Sequence, residues 1–230
     1  MTVWDRPEPP TQPAPLDRER IVAAAIALAD EGGLEAVSVR KVAARLDAGP
    51  MRLYRYISSK EELFDLMMDE VQAEILPEEQ PGDWREALRV LAQRTRKAAL
   101  RHAWLADLLG GRPAMGPNGL AVAEATLSAF DSLADVDTVM RAVETVSAYF
   151  IGAIRRETAH LRAQHATGLS KHDWQRAHGP HMTSMLATGR FPALAKVVHD
   201  ATDVDAETSF ATGLDWVLDA VATELARPPA

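Results

Sequence analysis

Apolar residues recur along this chain at intervals of three and four, and no stretch sustains the two-residue alternation of a strand. Residues three or four positions apart share one face of a helix, so this period predicts an all-α fold. Glycine and proline interrupt the pattern, most clearly at Gly32-Gly33, at Gly49-Pro50 and at Gly116-Pro117. These interruptions predict many separate helices rather than a few long ones.

Composition narrows the class of protein. A length of 230 residues suits one large domain or two small ones. The absence of cysteine excludes disulfides, thiolate catalysis and cysteine-type zinc sites. No apolar run approaches the roughly 18 residues that a membrane span needs, and residues 1–15 lack the apolar stretch of a signal peptide. We therefore expect a cytoplasmic protein that does not engage a membrane.

Two prolines with acidic residues between them, Pro77 and Pro81, suggest a boundary between two domains. Residues 1–15 contain five prolines and are predicted to form a flexible, extended tail. The predicted organisation is thus this tail, an N-terminal domain over residues 16–76 and a C-terminal domain over residues 77–228.

Helix boundaries in the N-terminal domain carry recognisable signals. A capping residue, Asp17 or Ser38, opens each of the first two helices, the third begins at Gly49-Pro50, and a capping box from Ser59 to Glu62 opens the fourth. In the C-terminal domain we predict helices at about 83–109, 118–131, 138–166, 171–188, 192–199 and 205–226.

Positive charge is concentrated between Ser38 and Lys60. This segment holds six basic residues and one acidic residue, whereas residues 61–230 hold 16 basic and 25 acidic residues. The two short helices of the segment are joined by only a few residues, which is typical of a helix-turn-helix whose second helix enters the major groove of DNA. Leu53 and Ile57 can seat that helix on the domain, so its arginines and tyrosines point outward. An ordinary solvated charged face is the alternative.

The same segment resembles the DNA-binding domain of the tetracycline-repressor (TetR) family. The resemblance rests on a serine opening the second helix, an alanine pair within it, and a Leu-Tyr-x-Tyr run followed by Lys and Leu. In the second half, Ala103-Trp104-Leu105-Ala106 and Gly116-Pro117-Asn118 resemble the subgroup nearest the tetracycline repressor itself. The residues that carry the N-terminal resemblance are Ser38, Ala43, Ala44, Leu53, Tyr54, Tyr56, Lys60 and Leu63.

The resemblance implies a function. It predicts a helix-turn-helix DNA-binding domain of three helices, followed by a helical bundle for ligand binding and dimerisation. Such a protein is a homodimeric repressor, without a cofactor, that a small-molecule effector releases from a pseudo-palindromic operator in double-stranded DNA. By resemblance, Arg40 reads a base or a phosphate, and Met51 and Arg52 read bases. The residues that contact phosphates by resemblance are Tyr54, Tyr56 and Lys60. The full predicted DNA-binding set is Ser38, Val39, Arg40, Gly49, Pro50, Met51, Arg52, Tyr54, Arg55, Tyr56 and Lys60.

Large apolar residues of the C-terminal domain predict a pocket for a largely apolar effector, with simple core packing as the alternative. Apolar stripes that start at Val139 and at Leu214 are candidates for the dimer interface, unless they form the domain's own core. The predicted pocket residues are His102, Trp104, Leu108, Met115, Phe130, Tyr149, Phe150, Trp174, Met182 and Met185.

Other functions find little support in the sequence. His178 and His181 are three positions apart, but Gly179-Pro180 between them argues against a regular helix, and no acidic residue has matching spacing, so we predict no metal site. Nucleophile-elbow and phosphate-loop motifs are absent, so we predict that the protein is not an enzyme. The alternative function is a helical ligand-binding or scaffolding protein without specific DNA binding.

Overall fold

A computed structural model describes residues 16–78, 82–111, 115–130 and 133–226. Within these ranges the regular structure is helical, as the period of the sequence predicts, and no helix is long and apolar enough to cross a membrane. A 3₁₀ turn lies at Leu34–Ala36. The α-helices are α1 (Arg18–Gly32), α2 (Val39–Arg45), α3 (Pro50–Leu53), α4 (Lys60–Ile75), α5 (Trp84–Arg101), α6 (Leu105–Leu108), α7 (Pro117–Ser128), α8 (Val136–Thr167), α9 (Lys171–Ala187), α10 (Pro192–Asp200) and α11 (Ala206–Leu225).

The chain forms two compact units, and the first of them ends at Ala129. In this unit α4 is central, because it packs against α1, α5 and α7. One face of α4 supplies Leu63, Met67, Val71 and Ile75, which are at most 1% exposed. Their spacing of four residues places them on one face of the helix, where burial of apolar surface stabilises the unit.

Side chains cap the helices of the first unit as the sequence predicts. Asp17 accepts a hydrogen bond from the Arg20 N–H at 2.8 Å, and the Ser59 hydroxyl accepts one from the Glu62 N–H at 3.1 Å. Glu62 reaches back one residue beyond the cap, where its carboxylate accepts the Ser58 N–H. This backbone hydrogen bond holds the pKa of Glu62 below its usual range.

The prediction of one continuous helix over residues 83–109 is wrong, because the helix is broken at His102. His102 has non-helical backbone angles (φ −114°, ψ 78°) and separates α5 from α6. Its side chain lies between carboxylates of α1 and α4. Local periodicity does not reveal this break, because the contacts come from distant parts of the chain.

Glycine 116 and Asp69 fix the start of α7 on α4. The Asp69 carboxylate accepts the Gly119 N–H at 2.9 Å and also lies 3.3 Å from the Asn118 side-chain nitrogen. A methyl group on Gly116 would lie 2.7 Å from Asp69 Oδ2 and closer still to Cγ and Oδ1. Only glycine therefore lets the chain approach the carboxylate so closely at this position.

The second compact unit begins at Phe130, and its main contact is the packing of α8 against α11. The apolar stripes considered for a dimer interface are largely buried in this unit, since Val146, Ile154, Leu214 and Leu218 are at most 1% exposed. The alternative, that the stripes form the domain's own core, is the one that these burials support.

The remaining helices of the second unit, α9 and α10, contain no buried residue. Trp174 in α9 is 53% exposed and stacks on His178, with ring centroids 4.2 Å apart. The expectation that Gly179-Pro180 interrupts the helix is wrong, because α9 continues through Pro180. His178 and His181 thus share a helix, yet no group of three or more potential metal-ligating side chains exists among the described residues.

Candidate nucleic-acid interface

A tight turn joins α2 to α3 and sets the angle between them. Asp47 in this turn has a left-handed backbone (φ 50°), which Asp tolerates better than most residues. The Ala48 N–H closes the turn by donating to the Ala43 carbonyl at 2.9 Å. Asp47 and this hydrogen bond therefore form the connection of a helix-turn-helix.

Buried apolar residues seat α3 on the rest of the first unit. Leu53 is fully buried and Ile57 is 1% exposed, and they lie four positions apart as the sequence predicts. From α2, Val42 and Ala43 are also fully buried. Burying these side chains fixes which face of α3 remains outside.

The outer face of the segment carries basic side chains together with a methionine and a tyrosine. Met51 is 77% exposed and Tyr54 is 50% exposed. Arg40 and Arg55 are also exposed, whereas Arg52 is half-buried. Four more residues of the predicted DNA-binding set lie at the starts of α2 and α3: Ser38, Val39, Gly49 and Pro50. The Ser38 hydroxyl accepts a hydrogen bond from the Lys41 N–H at 3.3 Å.

Tyr56 has a hydrogen-bond partner within the protein, and its predicted phosphate contact stays a prediction. Its hydroxyl donates a hydrogen bond to the Leu16 carbonyl at 2.6 Å, so it holds the chain that enters α1. The hydroxyl proton is thus not directed toward solvent, where a phosphate would bind. Of the two tyrosines, Tyr54 is the more exposed, whereas Tyr56 is half-buried.

Two other cations of the segment have defined partners. Arg45 forms a two-bond ion pair with Glu31 of α1, at 2.7 and 2.8 Å, and the hydrogen bond from Arg45 lowers the pKa of Glu31. Lys60 lies over the Phe64 ring, with its ammonium nitrogen 5.1 Å from the ring centroid. The pair with Glu31 ties α2 to α1, while Lys60 stays beside the outer face.

The residues predicted for an effector pocket do not share one environment. His102 and Trp104 are buried and both hydrogen-bond to Asp30 Oδ1, at 2.8 and 2.7 Å, so they link helices. Phe130 and Phe150 are buried, and Leu108 is half-buried. Tyr149 donates a hydrogen bond to the Phe210 carbonyl at 3.0 Å. The remaining predicted residues are exposed: Met115, Trp174, Met182 and Met185.

A cavity of about 800 Å³ lies in the second unit, between the C-terminal half of α8 and the start of α11. Arg156, His160 and Phe210 are among its lining residues, and none of the predicted pocket residues lines it. No local pattern in the sequence indicates this cavity, because its walls come from segments about 50 positions apart.

Together these features define a class of protein. A first unit that presents a basic helix-turn-helix, in a chain whose second unit is also helical, is the architecture of a helix-turn-helix DNA-binding regulator. Residues 21–67 match the family model for bacterial regulatory proteins of the tetR family, and residues 76–225 match the model for the tetracycline repressor-like C-terminal domain. The chain belongs to the TetR family of transcriptional regulators.

Individual relatives agree with this assignment. The HTH-type transcriptional repressor DrrR1 of Streptomyces coeruleorubidus is 36% identical, and the alignment covers 98% of this chain and 85% of that protein. Apo ActR from Streptomyces coelicolor is 28% identical with a TM-score of 0.76, covering 92% of this chain and 97% of that one. ActR in complex with actinorhodin is 27% identical with a TM-score of 0.77, covering 93% and 100%. The resemblance read from the sequence is thereby confirmed.

Proposed function

We propose that this protein is a homodimeric repressor that reads a pseudo-palindromic operator through α2, α3 and the residues following them, and that a small, largely apolar molecule releases it. The exposed side chains of the helix-turn-helix are the observation that carries this proposal. Arg40, Met51, Tyr54 and Arg55 lie on its outer face, while Leu53 and Ile57 hold it from behind.

The chemistry of each side chain indicates whether it contacts a base or a phosphate. Arg52 and Arg40 can donate two hydrogen bonds to guanine or to phosphate, and Met51 offers an apolar contact to a thymine methyl group. Tyr54 and Lys60 suit phosphate oxygens, because each donates to an anion without reading a base. Tyr56 acts indirectly, since its hydroxyl supports the entry to α1.

Two copies are needed to read a symmetric site. A two-fold dimer places its recognition helices in successive major grooves, roughly 34–36 Å apart. Exposed apolar residues of the second unit support an interface there, above all Trp216 of α11 at 72% exposure and Met140 of α8 at 41%. Aromatic residues that are exposed in a single copy are typical anchors of such interfaces.

An effector is supported by the relatives. ActR has been solved with actinorhodin bound, and DrrR1 is a repressor. By linkage, a ligand that binds the DNA-free conformation better weakens DNA binding by the same factor, typically 5- to 150-fold. We infer that the protein acts in the cytoplasm, where its DNA lies, and that it has no enzymatic role.

Selection from a random duplex library tests the proposal. We expect the protein to enrich an inverted repeat, and Arg52→Ala to relax the preference at one base position of each half-site. Arg176→Ala is the matched control, because Arg176 is an exposed arginine of α9 in the second unit. Enrichment of no sequence would favour a helical scaffold that does not bind specific DNA and would overturn the proposal.

A further inference from the structure

His102 lies where three helices of the first unit meet. It is only 7% exposed, at the break between α5 and α6. Its Nδ1 is 2.8 Å from Asp30 Oδ1 of α1, and its Nε2 is 3.3 Å from Glu74 Oε1 of α4. Both nitrogens of one buried ring therefore face carboxylates from two different helices.

Each carboxylate also has a second partner. Asp30 Oδ1 accepts the Trp104 indole N–H at 2.7 Å, and Glu74 Oε2 accepts from the Arg101 guanidinium at 2.6 Å. Arg94 of α5 donates to the Glu74 backbone carbonyl at 3.3 Å. The bonds from Trp104 and Arg101 hold both carboxylates beside the ring by contacts that do not involve the His102 proton.

The number of protons on the ring decides which helices it can hold. A neutral imidazole has one N–H, whereas the protonated ring has two. The short contact to Asp30 requires the proton on Nδ1, since an ionised carboxylate can only accept. In the neutral ring, Nε2 would then turn a lone pair toward Glu74, and two acceptors repel each other.

We propose that His102 is a proton-dependent clamp at the end of α5, which ties α4 to α1 when both ring nitrogens are protonated and releases Glu74 when Nε2 loses its proton. Histidine side chains gain and lose this proton between about pH 5 and 8. Asp30 stays bound in both states, so the proton acts on α4 alone.

The clamp has a consequence for DNA binding, and this consequence rests on the proposed function. Helix α4 begins at Lys60, the last residue of the segment proposed to read DNA, and packs against α1. A change at Glu74, near the other end of α4, thus reaches the DNA-binding helices through one continuous helix. His102 is in this sense a positioning residue, since it acts through α4.

Amide hydrogen exchange tests the clamp without DNA, so its failure is distinct from a failure of the proposed function. The reporter is the last turn of α4, where the Leu76 N–H donates to the Gln72 carbonyl at 3.1 Å. Rates are divided by those of an unstructured peptide at the same pH. We expect protection on the order of tenfold greater at about pH 6 than at about pH 8, the scale of one charge-assisted hydrogen bond.

Glu74→Gln supplies the decisive variant. A glutamine can accept from Arg101 through its oxygen and donate its amide N–H to the unprotonated Nε2, so protection should become greater at about pH 8 than at about pH 6. Glu74 is 35% exposed, so the replacement does not bury a new group. His160→Gln is the control, because His160 is exposed on α8, and it should keep the wild-type dependence.

Two results would overturn the clamp. The first is wild-type protection that is equal at both pH values, which would make His102 a structural residue whose charge is irrelevant. The second is a pH dependence of the same sign in wild type and Glu74→Gln, which would assign the titration to another group.

Discussion

Replacing Gly116 by alanine should weaken the contact between α7 and α4. The backbone of Gly116 (φ −76°, ψ 167°) suits any residue, so the effect is purely steric. The added methyl group would overlap the Asp69 carboxyl group, 2.7 Å from its Oδ2 and closer to its other atoms. Asp69 can move away only by giving up its hydrogen bond to the Gly119 N–H.

The loss of stability is set by the cost of the steric overlap and by the cost of the lost hydrogen bond. Loss of a hydrogen bond to a charged acceptor costs about 1.5–3 kcal/mol, and overpacking costs about 1–3 kcal/mol when it is not relieved. Because moving Asp69 relieves the overlap, the costs are alternatives rather than a sum. We therefore expect Gly116→Ala to lower the free energy of unfolding by about 2–3 kcal/mol and the melting temperature by roughly 4–12 °C.

Thermal and urea unfolding at fixed protein concentration measure this change. Asp69→Ala removes the group that the methyl would meet, so Gly116→Ala in that background should cost less than about 0.5 kcal/mol. Gly82→Ala is the control, because a methyl group there meets no atom within 4 Å. Equal costs of Gly116→Ala with and without Asp69 would refute the steric reasoning.

Three further changes have defined outcomes. Lys60→Ala should lower the salt slope of DNA binding by about one unit, as expected for one lost phosphate contact, and an unchanged slope removes Lys60 from the interface. Leu53→Ala should destabilise the fully buried seat of α3 by about 2–5 kcal/mol in urea unfolding, and a cost near zero would mean that α3 is seated otherwise. Glu62→Gln should destabilise the protein above the ordinary Glu pKa of 4.5, and the difference from wild type should fade as the pH falls below it, because the Ser58 N–H lowers the pKa of Glu62 in the folded state. If the stability difference between Glu62→Gln and wild type persists in acid, the ionised Glu62 carboxylate is not its cause.

Local signals in the sequence were sufficient for most of the helix-turn-helix. Asp17, Ser38 and Ser59 are capping residues whose effect extends over three positions, so their type and spacing predict the starts of α1, α2 and α4. The spacing of Leu53 and Ile57 likewise predicts which face of the segment is buried. The family pattern added the identity of the DNA-binding side chains, which remains a prediction.

Long-range contacts account for what the sequence did not show. The break at His102 depends on Asp30, 72 positions away, and on Glu74, 28 positions away. No periodicity within a helix encodes such a contact. The hydrogen bond from the Tyr56 hydroxyl to the Leu16 carbonyl, 40 positions earlier, is hidden from the sequence for the same reason. The large apolar residues predicted to line a pocket could not be separated from core residues, since both are apolar and follow the same helical period.

The central claim is that two copies of the helix-turn-helix read one DNA duplex together. Inserting about five base pairs between the halves of the selected inverted repeat turns the half-sites to opposite faces of the duplex. In a titration of this site and the original one, we predict that the insertion abolishes the complex containing two protein copies. Equal affinity of that complex for both sites would contradict the claim, because the two recognition helices would then not be held in a fixed relation.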